Sequence, residues 1–128
     1  MGSIYVHIPF CKKRCTYCNF YSTVNLYDID SYTDAVCLEA TRRTTFMHTR
    51  NVDTLYFGGG TPSLLSAEQV NRIYDTIASN YNLSNLKEFT LECNPDDITS
   101  DFIKKLKTTK INRISIGVQS LDDEILAF

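Results

Sequence analysis

No stretch of these 128 residues approaches the roughly 20 consecutive apolar positions that a membrane-spanning helix needs. Basic charge is not in excess either: 13 Lys and Arg stand against 15 Asp and Glu, a net charge of −2. Apart from the short Lys12-Lys13-Arg14 run the cations are scattered, so the electrostatic footprint of a nucleic-acid binder is missing. The same scarcity removes polybasic membrane attraction but leaves other peripheral membrane contacts open. The opening MGSIYVHIPF has none of the basic, apolar and small-residue zones of a signal peptide. Gly2 and Ser3 follow Met1 as in a myristoylation start, but Ile4 moves directly into a strand pattern. The five cysteines are an odd number without secretory context, which argues against a disulfide framework. The expectation is a reduced, cytoplasmic protein. No low-complexity segment, flexible linker or repeat interrupts it.

What is present suits one soluble globular domain, with 43% hydrophobic and 22% charged residues. Short β-branched runs alternate with amphipathic segments. Residues 4–8 read as a first strand, and a helix beginning near 28–31 repeats Ile29, Tyr32, Val36 and Ala40 at helical spacing. A second strand at 53–57 runs into Gly58, Gly59 and Gly60. Ser66 and Gln69 form a capping box for a helix with Val70, Ile73, Tyr74 and Ile77 on one face. A third strand covers 88–93, Thr99 or Ser100 caps a helix carrying Phe102, Ile103 and Leu106, and a fourth strand covers 113–118. Leu121, Ile125 and Phe128 then open a fourth helix. This alternation predicts an α/β fold with a parallel sheet and helical crossovers. The later strands start 35 and 25 residues apart, bracketing the roughly 30-residue unit of a β/α barrel. An uncovered fourth strand and the bare apolar face of the last helix favour the N-terminal part of a longer barrel, about four β/α units, over a free-standing small domain.

The chemistry concentrates in Cys11-Lys-Lys-Arg-Cys15-Thr-Tyr-Cys18, a C-x3-C-x2-C loop. Three thiolates on one short loop can serve three irons of a four-iron cubane and leave the fourth open to a small molecule. A structural zinc ion would want a fourth N or S ligand. His7 is the nearest candidate, but its place in the first strand should turn it to a strand face and away from the loop. Buried thiols without a metal are the third possibility. Cys37 and Cys93 read as packing thiols.

With an aromatic, Tyr17, before its last cysteine, the loop resembles the signature of the radical S-adenosylmethionine (SAM) superfamily. Tyr5-Val-His-Ile-Pro-Phe-Cys11, Gly58-Gly-Gly-Thr-Pro-Ser63, Glu92-Cys-Asn-Pro95 and Arg113-Ile-Ser-Ile-Gly-Val-Gln-Ser120 together resemble the oxygen-independent coproporphyrinogen III oxidase family, and within it the haem chaperone branch. The resemblance runs from Tyr5 to the last residue. It implies residues 1–128 of a radical SAM core, a partial parallel β/α barrel, with a 4Fe-4S cluster on Cys11, Cys15 and Cys18. It further implies that the open iron chelates the amino and carboxylate groups of SAM. Electron transfer from the cluster then releases methionine and a 5′-deoxyadenosyl radical.

The resemblance places Gly59, Gly60 and Thr61 against the methionine end of SAM, with Glu92 and Gln119 at strand ends where they can bind polar cofactor atoms. Tyr5 and Tyr17 fall around the cluster and cofactor, though each also reads as a packing aromatic. No catalytic residue is assigned. The true oxidases carry another cysteine two residues after the third ligand, where this chain has Phe20. Cys18-Asn-Phe-Tyr-Ser22 resembles the chaperones, which bind haem and pass it to acceptor proteins. The implied partners are SAM, haem or a porphyrinogen, a flavodoxin- or ferredoxin-like electron donor and a haem acceptor. The competing functions are oxidative decarboxylation of coproporphyrinogen propionates and a non-catalytic zinc module.

Overall fold

The computed structural model of the chain describes residues 2–127. Four strands, β1 (Ser3–Ile8), β2 (Thr54–Gly59), β3 (Glu88–Cys93) and β4 (Arg113–Ile116), form one sheet in sequential order. All three pairings are parallel, with Tyr5 opposite Tyr56, Leu55 opposite Phe89 and Glu92 opposite Ser115. The connections carry α1 (Ile29–Arg42), α2 (Ala67–Asn80) and α3 (Ser100–Leu106), and α4 (Asp123–Leu126) follows β4.

Alternation along each strand separates two faces. Val6, Ile8, Leu55, Phe57, Phe89 and Leu91 point to the helical side and are almost wholly buried with Val70, Ile73 and Ile77 of α2. Burying each large side chain is worth about 1.5–3 kcal/mol. Phe89 joins the layers, meeting Phe57 edge-on at 4.9 Å and stacking on Tyr74 of α2 at 5.6 Å. The expected α1 residues Ile29, Tyr32, Val36 and Ala40 pack on this core, as does the half-buried Cys37.

The helix signals act as their chemistry predicts. Ser66 accepts the Gln69 N–H while the Gln69 side chain accepts the Ser66 N–H, completing the capping box. Thr99, not Ser100, caps α3 by accepting the Phe102 N–H. Three boundaries differ from expectation by two residues or more, the first being β2, which runs on to Gly59 and does not stop at Phe57. β4 ends at Ile116 because the Gly117 N–H turns to Cys93 O and the Val118 N–H to Ile116 O, so Gln119 stands in a loop. The last helix is one short turn capped by Asp122, Leu121 precedes it at 95% exposure, and Phe128 lies outside the described residues. Among the described residues no helix is long and apolar enough to cross a membrane.

A candidate cofactor pocket at the strand ends

The opposite face of the sheet is polar and aromatic, and its C-terminal end is where a parallel sheet gathers its loops around a ligand. The cysteine loop leaves β1 through buried Pro9 and Phe10, whose ring meets Tyr32 edge-on at 5.3 Å. Its ends are stitched together: the Cys11 N–H donates to Thr23 O at 2.9 Å and the Thr23 N–H to Pro9 O at 2.7 Å.

His7 does not turn away from this loop. Its Nε2 lies 3.0 Å from Tyr21 O and its Nδ1 3.1 Å from the Tyr5 hydroxyl. A carbonyl only accepts, so Nε2 carries the proton and Nδ1 accepts from Tyr5. The loop's return folds over the polar face of β1, which the strand pattern alone did not reveal. With both nitrogens engaged, His7 is not free to ligate a metal.

The glycine loop fits under the cysteine loop. Gly59 has φ +119°, a conformation open to glycine, and a Cβ there would lie 2.7 Å from the His7 ring. A Cβ on Gly60 would lie 2.9 Å from Cys11 Sγ and 2.7 Å from Phe10 O. The Gly60 N–H donates to Ile8 O at 2.8 Å and the Thr61 N–H to Phe10 O at 2.7 Å. Thr61 Oγ1 is 3.6 Å from Cys11 Sγ, which it reaches as a donor. Across the sheet, Glu92 accepts the Gly59 N–H through Oε2 at 3.0 Å and the Tyr56 hydroxyl through Oε1 at 2.6 Å. That bond to Glu92 is the main reason the Tyr56 hydroxyl titrates above its usual range.

These loops enclose one cavity of about 550 Å³. Cys11, Cys15 and Cys18 line it together with Tyr17, Gly59, Gly60, Thr61, Glu92 and Gln119. Nine of the ten expected site residues thus share one pocket. Tyr5 is the exception: it lies outside the lining, stacked on Tyr56 at 6.0 Å and bonded to His7. Burial, then the Glu92 charge, raises its hydroxyl pKa. Gln119 donates Nε2 to Gly117 O at 3.2 Å, within its own loop.

Cys11 is buried, Cys18 half-buried and Cys15 exposed, and the Cys18 N–H closes a turn onto Cys15 O at 3.2 Å. A hydrogen bond with Cys15 is the main cause raising the Tyr17 hydroxyl pKa. Among the described residues no three His, Cys, Asp or Glu side chains converge as the ligands of one ion would. The thiols share a wall without meeting at a point. Cys93 abuts the pocket, but burial above all pushes its thiol up to about 11, so it stays protonated near neutrality.

Several contributors were not identified from sequence. Ser22 lines the pocket with a buried hydroxyl that has no hydrogen-bond partner among the described residues. Tyr56, signalled only by its place opposite Tyr5 two residues before the glycines, anchors Glu92. The residues of the basic run are all exposed, yet Lys12 is ion-paired with Asp97, and Lys13 and Arg14 line the pocket.

The model of the radical SAM superfamily matches residues 5–128. The heme chaperone HemW of Lactococcus lactis subsp. lactis is 40% identical over 126 residues, 98% of this chain and 32% of that protein. The oxygen-independent coproporphyrinogen III oxidase of Salmonella typhimurium is 35% identical over 125 residues, 96% of this chain and 27% of that protein. The solved structure of coproporphyrinogen III oxidase (HemN) from Escherichia coli, described as a radical SAM enzyme, superposes with a TM-score of 0.83 at 33% identity. It is matched over 98% of this chain and 29% of its own. The chain spans about a third of the length of these relatives. Its fold matches the N-terminal part of that enzyme, and the chain belongs to the radical SAM superfamily.

Proposed function

We propose that the chain supplies the cluster loop and part of the SAM site of a haem chaperone, as the N-terminal core of a larger radical SAM protein. The observation that carries this reading is the single pocket in which the three cysteines face the glycine loop and Glu92. The donor set fits a 4Fe-4S cluster better than zinc. Three thiolates match a cluster that leaves one iron open, whereas a structural zinc ion wants a fourth N or S ligand, which His7, engaged at both nitrogens, does not offer.

Cys11, Cys15 and Cys18 would each hold one iron, with the Thr61 hydroxyl donating to the Cys11 sulfur. The absence of side chains at Gly59 and Gly60 lets a ligand approach the backbone. The Glu92 carboxylate keeps unused lone pairs for an ammonium or ribose hydroxyl, because each oxygen accepts one bond from the protein. Ser22 offers an unpartnered hydroxyl in the wall. When bound, the reduced cluster supplies the electron that cleaves a carbon–sulfur bond of SAM.

Phe20 favours the chaperone over the oxidase. It lines the pocket at 64% exposure where the resemblance would have an oxidase cysteine. The reading carries with it haem as cargo, an electron donor of the flavodoxin or ferredoxin kind, a haem-acceptor protein and a reducing compartment such as the cytoplasm.

Anaerobic reconstitution with iron and sulfide, followed by EPR of the reduced chain with and without SAM, tests the cofactor assignment. About four irons per chain and a spectrum that shifts on adding SAM are expected. Zinc without iron or acid-labile sulfide would replace the cluster with a zinc module. Haem difference spectra on the cluster-loaded protein then test the chaperone reading, and vinyl-group formation from coproporphyrinogen would support the oxidase instead.

A further inference from the structure

Beyond its first residue, the cysteine loop is barely attached to the rest of the molecule. Among the described hydrogen bonds, none joins residues 13–20 to another part of the chain, since the Cys18 to Cys15 turn is internal. Lys12 is the last anchored position before that stretch, and Tyr21 O is the first after it. The Lys12 Nζ pairs with Asp97 Oδ1, Asp97 Oδ2 accepts the Ser63 hydroxyl at 2.7 Å, and Ser63 Oγ accepts the Asn94 N–H at 3.3 Å. The chain of contacts therefore joins the loops that follow β1, β2 and β3.

The pair is asymmetric. The Lys12 side chain is 61% exposed, but that of Asp97 is 7% exposed. An ordinary surface ion pair contributes little. Here, losing Lys12 would leave a nearly buried carboxylate with the Ser63 hydroxyl and no cation, a costly arrangement. Lys12 is thereby held beside Cys11, whose sulfur fits against Gly60 and Thr61.

We propose that Asp97 is a positioning residue for the cysteine loop: by holding Lys12 it keeps Cys11 seated against the glycine loop and fixes how the thiols face the pocket. The seating of Cys11 rests on these protein contacts alone. Its consequence for a cluster rests on the functional reading above.

The test uses the full chain in its reduced apo form, treated with iodoacetamide and resolved site by site by mass spectrometry. Asp97→Asn and Lys12→Met are each expected to raise the rate of Cys11 modification several-fold, with Cys37 on α1 unchanged. Asp97→Glu and Lys12→Arg should restore protection. An unchanged Cys11 rate in both variants overturns the proposal, and so does a parallel rise at Cys37, which would mean general loosening. In reconstituted protein the same two variants should lose iron to a chelator faster and shift the EPR spectrum of the reduced cluster. If the wild-type chain takes up no iron, the cluster reading fails while the alkylation comparison still decides the role of Asp97.

Discussion

The carboxylate of Glu92 holds the amide of Gly59 at 3.0 Å, tying the end of β3 to the glycines that end β2. Its other oxygen accepts the Tyr56 hydroxyl at 2.6 Å. Glu92→Gln keeps the shape and can accept the Gly59 N–H through its carbonyl while its NH2 donates to the Tyr56 oxygen, so what it removes is the charge on both bonds. Exchanging hydrogen bonds to a charged group for neutral ones costs about 1–2 kcal/mol. Chemical denaturation of the apo chain should show a loss in that range. SAM binding by reconstituted protein should weaken as well; unchanged stability and binding together would remove Glu92 from the site.

Gly59→Ala and Gly60→Ala should fail differently. At Gly59 the φ of +119° strains any L side chain, and the added methyl would press on the His7 ring. The expected cost is about 1–3 kcal/mol, read as a lower thermal midpoint. At Gly60 the methyl would meet Phe10 O, which is backbone, and Cys11 Sγ. Gly60→Ala should therefore impair iron uptake more than its effect on stability accounts for. Equal iron retention by the two variants would show that Gly60 is only a turn residue.

The four strands and the capping box were legible because each rests on a local rule, whereas the nine residues that share the pocket were expected together from the family resemblance. Strand alternation follows from the pleat, and Ser66 with Gln69 is a self-contained exchange of two bonds. The position of His7 was not legible, since its partner Tyr21 O is a backbone group 14 residues away in an irregular loop. The same holds for the Lys12 and Asp97 pair, which spans 85 residues and has no sequence spacing to betray it. Gln119 was expected at a strand end, and the turn at Gly117 moved it into a loop while leaving it on the pocket wall.

Cys93 and Cys15 should be separable by pH. Only the thiolate attacks an alkylating reagent. Burial holds the Cys93 thiol near 11, so roughly one molecule in a thousand carries the thiolate at pH 8. Exposed Cys15 should react readily there, whereas Cys93 should remain unmodified until the pH approaches its raised value. The sign for stability follows. Folding holds the Cys93 proton more tightly than the unfolded chain, whose thiol lies near 9. Its contribution is intact below about pH 9 and is lost as pH rises toward 11. A Cys93→Ala variant should lose less stability than wild type across that window, measured by denaturation at fixed pH values. Parallel curves would show that Cys93 does not drive the alkaline loss.

The contact between Thr61 and Cys11 offers a test that separates packing from cofactor tuning. Thr61 is 8% exposed, its N–H is held by Phe10 O, and its hydroxyl donates to Cys11 Sγ. Thr61→Val preserves the branched shape and the backbone bond while deleting only the donor. Loss of one weak bond to sulfur should change apo stability by no more than about 1 kcal/mol. A donor to a ligating sulfur offsets negative charge, so it favours the more electron-rich reduced cluster and raises the reduction potential. Without it, the potential of the reconstituted protein should become more negative while iron content and thermal midpoint stay close to wild type. Dye-mediated redox titration followed by EPR reads the potential directly. An unchanged potential would mean that Cys11 does not ligate the cluster or that the hydroxyl turns elsewhere once the cluster is bound, and loss of iron with it would assign Thr61 to cluster retention instead.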